Sequence, residues 1–152
     1  DFDTMIVPLG NGALLAGVGA ALRDASPGTR IVAVVAEQAP SMMLSLDAGR
    51  ALETEKADTI ADGIDIRVPI PEALETLRGL YDDIMSVSEE EIFRAMLLLR
   101  RHLGHSVEPS GAVGVAAILA QPHRFAGQQV ATLLCGANLS PAMAAQLAAV
   151  PV

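Results

Sequence analysis

MIVPLGNGALLAGVGAAL, residues 5–22, changes its hydrophobic period partway along. Residues 5–9 form a short apolar run with no polar face, as expected of a buried strand in a parallel sheet covered on both sides. From Leu14 the apolar positions Leu14, Leu15, Val18 and Leu22 recur at helical spacing. Between them lies the glycine cluster of residues 10–13. A strand, a glycine turn and a helix in that order aim successive backbone N–H groups and a helix N-terminus at one point, an arrangement suited to a phosphate or another anion. A tight turn with no ligand has the same composition, and the spacing leaves both readings open. A dinucleotide is one candidate guest, because Glu37 ends the next apolar run where an acid could meet a ribose. The glycines argue against it: Gly10, Gly12 and Gly17 do not make G-x-G-x-x-G, and Leu15 holds the third glycine position.

The same alternation continues along the chain. Residues 30–36 read as a second buried strand, 40–46 as a short helix, 64–68 as a strand, 71–80 as a helix and 84–87 as a strand. Ser88 with Glu91 predicts a capping box opening a helix whose stripe is Ile92, Met96, Leu99 and Leu103. Ser106 and Val107 read as a short strand, 110–120 as a buried helix stopped by Pro122, and 130–134 as a last core strand. Ser140 and Pro141 open a terminal helix. The class is α/β, with a parallel, doubly wound sheet flanked by helices. No repeat or linker divides residues 1–152, which read as one domain.

With 51% apolar and 18% charged residues among 152, the chain can bury a sizeable core, which excludes intrinsic disorder. Ten basic against eighteen acidic residues give a net charge of -8. With few aromatics and no basic cluster, nucleic acid is not an expected partner. The uncharged stretches 4–22 and 125–152 are interrupted by proline, glycine and amides, so no membrane span is expected. A single cysteine, Cys135, rules out an intrachain disulfide and suits a reducing, cytoplasmic setting. Residue 1 is Asp, which predicts a chain processed or cut from something longer.

Cys135 follows the last predicted strand, at the sheet edge where α/β proteins bind ligands; a lone cysteine is also a common small core residue. Glu108, before Pro109, faces either a pocket or water. His102, His105 and His123 lack metal-site spacing and receive no role, and the acids Glu89, Glu90 and Glu91 complement a helix dipole.

Six words in order, VPLGNGALLAG (7–17), APSM (39–42), TIADGI (59–64), VSEEEI (87–92), VEPSGA (107–112) and LCGAN (134–138), resemble the second half of a pyridoxal phosphate enzyme of fold type II, the tryptophan-synthase-beta-like fold. The resemblance is closest to the threonine and serine dehydratases, and it implies that the chain is an incomplete large, cofactor-binding domain of a two-domain enzyme. By that resemblance Gly10, Asn11, Gly12, Ala13 and Leu14 match the loop that holds the cofactor phosphate, with Asn11 and Ala13 standing where the family has glycine. Gly63 matches a glycine near the ring, Glu108 an acid beside it, and Cys135 the Ser or Cys that meets the pyridine nitrogen. A neutral partner there cannot keep that nitrogen protonated as a carboxylate would, which suits β-elimination over transamination.

The resemblance also implies what is missing. The family's Schiff-base lysine belongs to the half that precedes this sequence. Lys56 is the single lysine here and lies in a charged connector, so the chain has no catalytic residue of its own. The expected activity is elimination of water from a small hydroxy-amino acid, with release of ammonia and a 2-oxo acid, once the missing N-terminal half is supplied. A homo-oligomer is expected. The alternatives are a threonine-synthase-like lyase acting on a phosphorylated homoserine, or a non-catalytic α/β binding module. The family's cation site aligns with Val35, Ser41 and the Ala39 carbonyl, too few hard oxygens for Mg or Ca. Millimolar magnesium is therefore expected to change neither activity nor melting temperature; an EDTA-reversible rise in either would refute this.

Overall fold

The computed structural model describes residues 2–151. Strands β1 (Thr4–Pro8), β2 (Arg30–Ala36), β3 (Asp83–Val87) and β4 (Val130–Thr132) form one sheet of order β3-β2-β1-β4 in which every pair is parallel. Thr4 lies opposite Arg30 on one side and Val130 on the other, and Val32 lies opposite Asp83. Helix α1 (Ala13–Ala25) joins β1 to β2, α2 (Ser41–Ala48) and α3 (Pro71–Thr76) lie between β2 and β3, α4 (Glu89–Leu103) and α5 (Pro109–Ala120) lie between β3 and β4, and α6 (Pro141–Ala149) follows β4. Strand alternation divides the core in two. Ile6, Val32 and Val34 pack with Met96 of α4 and Ala112 of α5 on one face, while Val7, Ile31, Ala33 and Val35 pack with Leu15 of α1 and Met42 of α2 on the other. This is the expected doubly wound arrangement.

The local signals recur in the structure. Ser88 Oγ accepts the Glu91 amide while Glu91 accepts the Ser88 amide at 2.8 Å, closing the capping box of α4. Ile92, Met96 and Leu99 are buried, whereas Leu103 at the last position of the helix is exposed. Ser140 caps α6 through the Met143 amide. No helix among the described residues is long and apolar enough to cross a membrane.

Three expectations are corrected. Residues 64–68 are not a strand: a 3₁₀ turn spans Asp62–Ile64, and the amides of Ile64, Asp65 and Ile66 are spent on the carbonyls of Ala61, Asp62 and Ile64. The helix predicted over 71–80 ends at Thr76, because the chain turns back through Leu77 and Gly79, whose φ is 77°. Ser106 and Val107 form no strand but lead as coil into Glu108, the N-cap of α5.

The last strand is also shorter and less buried than expected, with Val130, Ala131 and Thr132 each half-buried at the sheet edge. Pro8 accounts for its early end. Even-numbered residues of β1 donate toward β4, as Thr4 does to the Gln129 carbonyl, while Leu9 donates to Val34 on the β2 side at 2.8 Å. Pro8 falls on the β4 side and has no N–H to give, so pairing stops and residues 133–138 leave the sheet. α5 nonetheless lies close against β4: a Cβ on Gly114 would overlap Thr132 Oγ1, a hydroxyl that donates to the Ile6 carbonyl at 3.0 Å. Gly114→Ala is therefore expected to cost about 1–3 kcal/mol in urea unfolding.

Candidate functional site

In a doubly wound sheet the natural crevice lies beyond the carboxyl ends of the strands, where consecutive connections diverge to opposite sides. Here that point is between β1 and β4, since β2 adds to one side of β1 and β4 to the other. An open cavity of about 250 Å³ lies there, and all eight expected residues line it: Gly10, Asn11, Gly12, Ala13, Leu14, Gly63, Glu108 and Cys135. Pro8, Ile64 and Ser110 complete the wall. Lys56 is exposed and not part of it.

The loop at residues 10–14 leaves the sheet after the Leu9 amide bonds Val34. Gly12 is the N-cap of α1 with φ 92°, a left-handed conformation that side chains resist. No side chain caps this helix, in contrast to α4 and α6. Its first amides have no partner one turn back, so they are free to meet an anion in the cavity. Asn11 has no positive φ; its side chain contributes instead, with Oδ1 accepting the Ile70 amide at 3.1 Å and tying the loop to the start of α3.

Beside the loop the Gly63 amide donates to Ser110 Oγ at 2.9 Å, and a Cβ on Gly63 would lie 2.8 Å from that oxygen. This wall is bare backbone, open to close approach by a flat group. At the far end Glu108 Oε2 accepts the Asn138 amide at 2.9 Å, and the Glu108 amide donates to the Gly136 carbonyl at 3.2 Å. Gly136 has φ 130°, and a Cβ there would overlap the Glu108 carboxyl carbon, so the carboxylate rests on glycine backbone. Cys135 is next in the chain. Partial burial first, and then the Glu108 charge, push its thiol above the ordinary cysteine range, outweighing a hydrogen bond from its own backbone that acts the other way. The thiol holds its proton at neutral pH.

Sequence reasoning missed Ser110, Gly136 and Asn138 as supporting residues. Ser110 stood two places after Glu108 in the VEPSGA word, and Gly136 and Asn138 stood within LCGAN, but nothing local shows which loop each one meets. At the aligned cation positions Val35 is buried in β2 and the Ser41 hydroxyl donates to the Ile66 carbonyl. Among the described residues no cluster of three His, Cys, Asp or Glu is placed to hold a metal.

The cavity thus has free helix-terminal amides at one end, a glycine wall in the middle, and an anchored acid with a neutral thiol at the other. That donor set fits a flat, phosphorylated heterocycle such as pyridoxal phosphate.

Comparison with known proteins agrees. The L-threonine ammonia-lyase of Thermotoga maritima is 37% identical over 139 residues, which cover 91% of this chain but 34% of the relative. The chain therefore spans about a third of that protein's length. Among solved structures, a T.th. threonine deaminase superposes with a TM-score of 0.85 at 37% identity, covering 91% of this chain and 50% of that one. Maize serine racemase gives 0.85 at 30% identity, over 96% and 46% of the two chains. The family described as pyridoxal-phosphate dependent enzyme matches residues 1–136, from β1 through the turn that bears Glu108's glycine support, and to that family this chain belongs.

Proposed function

We propose that this chain is the cofactor-binding portion of a threonine/serine ammonia-lyase, which eliminates water from a small hydroxy-amino acid to give an enamine that takes water back on hydrolysis, leaving ammonia and a 2-oxo acid. The cavity at the β1/β4 divergence carries this reading, because it joins phosphate-type donors, a glycine wall and a neutral thiol in one place. The named relatives support the reaction class. When bound, pyridoxal phosphate supplies an electron-withdrawing ring that eases bond breaking at an amino acid's α-carbon.

This chain's residues bind and orient. The amides of residues 10–14 at the start of α1 would hold the phosphate, with favourable alignment of the helix dipole. Gly63 would let the ring lie against main chain. Cys135 Sγ would offer its proton to the ring nitrogen without transferring it, which leaves the ring neutral and favours elimination. Partial burial would keep that thiol protonated, with the charge of Glu108, held by Asn138, adding to the effect. The lysine would come from polypeptide outside residues 1–152, in a homo-oligomeric protein of the cytoplasm.

The test is an assay of the complete protein with L-threonine, L-serine and O-phosphohomoserine. Ammonia and 2-oxo acid from the first two are expected. Phosphate release without ammonia would replace this reading with a threonine-synthase-like one, and D-serine without ammonia would favour a racemase, as the likeness to the maize enzyme allows. Absence of any visible cofactor band removable by borohydride would favour a non-catalytic module.

A further inference from the structure

We infer that Ser110 is a positioning residue of the cofactor site, acting through Gly63 to set the gap between the glycine wall and the phosphate loop; this rests on the reading of the cavity given above. Ser110 is 4% exposed and sits in the first turn of α5, on an element packed against β1, β2 and β3. Its hydroxyl accepts the Gly63 amide at 2.9 Å. Gly63 in turn lies beside the loop, close enough that a Cβ on Gly10 would come within 3.2 Å of the Gly63 carbonyl oxygen. A short chain of contacts therefore runs from α5 through the Asp62–Ile64 turn to the start of the loop.

That turn belongs to no sheet, and its own hydrogen bonds are local. The Ser110 hydroxyl is what ties the Gly63 amide to the rigid part of the fold. Ala61 and Ile64 on either side are buried in the core, so loss of the hydroxyl leaves the turn in place but the Gly63 amide without its partner, and the Gly63 peptide can then reorient at the cavity wall. A flat ring held at both ends is sensitive to such a change, because it must touch the wall while its phosphate reaches the helix N-terminus.

The experiment uses the complete protein, with pyridoxal phosphate affinity measured by titration and the bound phosphate followed by its ³¹P resonance. Ser110→Ala is expected to weaken cofactor binding roughly tenfold and to move the resonance. Ser45→Ala serves as the structural control: Ser45 is equally buried and bonds the Ser41 carbonyl and the Leu52 amide, away from the cavity. It should lower the melting temperature and leave affinity and resonance unchanged. Gly63→Ala, whose added carbon meets Ser110 Oγ at 2.8 Å, perturbs the same contact from the other side and should share the Ser110→Ala signature, so a poorly folded Ser110 variant does not end the test. Wild-type affinity and resonance in Ser110→Ala or Gly63→Ala would overturn the inference alone, as would an equal loss of affinity in Ser45→Ala. Wild-type protein that binds no pyridoxal phosphate would overturn the cofactor reading itself, and this inference with it.

Discussion

Gly12→Val is expected to weaken pyridoxal phosphate binding about a hundredfold and to destabilise the fold by about 3 kcal/mol. Two causes act together. The φ of 92° at this position excludes a β-branched residue, and a Cβ would already stand 2.8 Å from Leu77 Cδ1. The loop must rotate to relieve both, which turns the first amides of α1 away from the phosphate. Losing one or two charge-assisted hydrogen bonds, each worth roughly 1.5 kcal/mol, accounts for the affinity change. Gly12→Asn should be milder, because Asn tolerates left-handed backbone better than Val does. Cofactor titration and urea unfolding of the complete protein check both effects; a valine variant with unchanged affinity would show that the phosphate lies elsewhere.

On the proposed ammonia-lyase reading, Gly136→Ala in the complete protein should lower kcat for ammonia release about a hundredfold, the scale set by a misplacement near 1 Å. Its added carbon would overlap the Glu108 carboxyl group and lift it from the Asn138 amide. The thiol of Cys135 reports the same movement. Glu108's negative charge opposes thiolate formation, so moving it away lets the Cys135 pKa fall toward the ordinary range. Burial, the larger cause, remains, and the fall is partial. In cofactor-free protein, alkylation of Cys135 should therefore set in at lower pH than in the wild type, and Glu108→Gln should shift it in the same direction. An unchanged alkylation profile together with an unchanged kcat would remove Glu108 from the site.

Much of this was legible in the order of residues. The switch from an apolar run to helical spacing within residues 5–22 specified a parallel strand and its helix, because periodicity is a property of neighbours in the chain. Ser88 with Glu91, and Ser140 before Pro141, announced helix starts for the same reason: a cap acts within one turn. Four of the six words carry the eight residues that the resemblance assigned to the cofactor, and all eight line one cavity.

What the chain alone could not specify depends on distant segments. Residues 64–68 have a strand's composition, yet no sheet edge reaches them and their amides turn inward. The end of β4 at Thr132 is decided by Pro8, more than a hundred residues away, through a donor that proline lacks. Asn11, which stands where the family has glycine, has no positive φ and acts through its side chain. Ser110 meets Gly63 across 47 positions, and Glu108 meets Asn138 across 30. Local physics, period and capping, was written into the sequence; the width and chemistry of the cavity came only from packing, because a hydrogen bond between remote segments exists only once the sheet and α5 have set their separation.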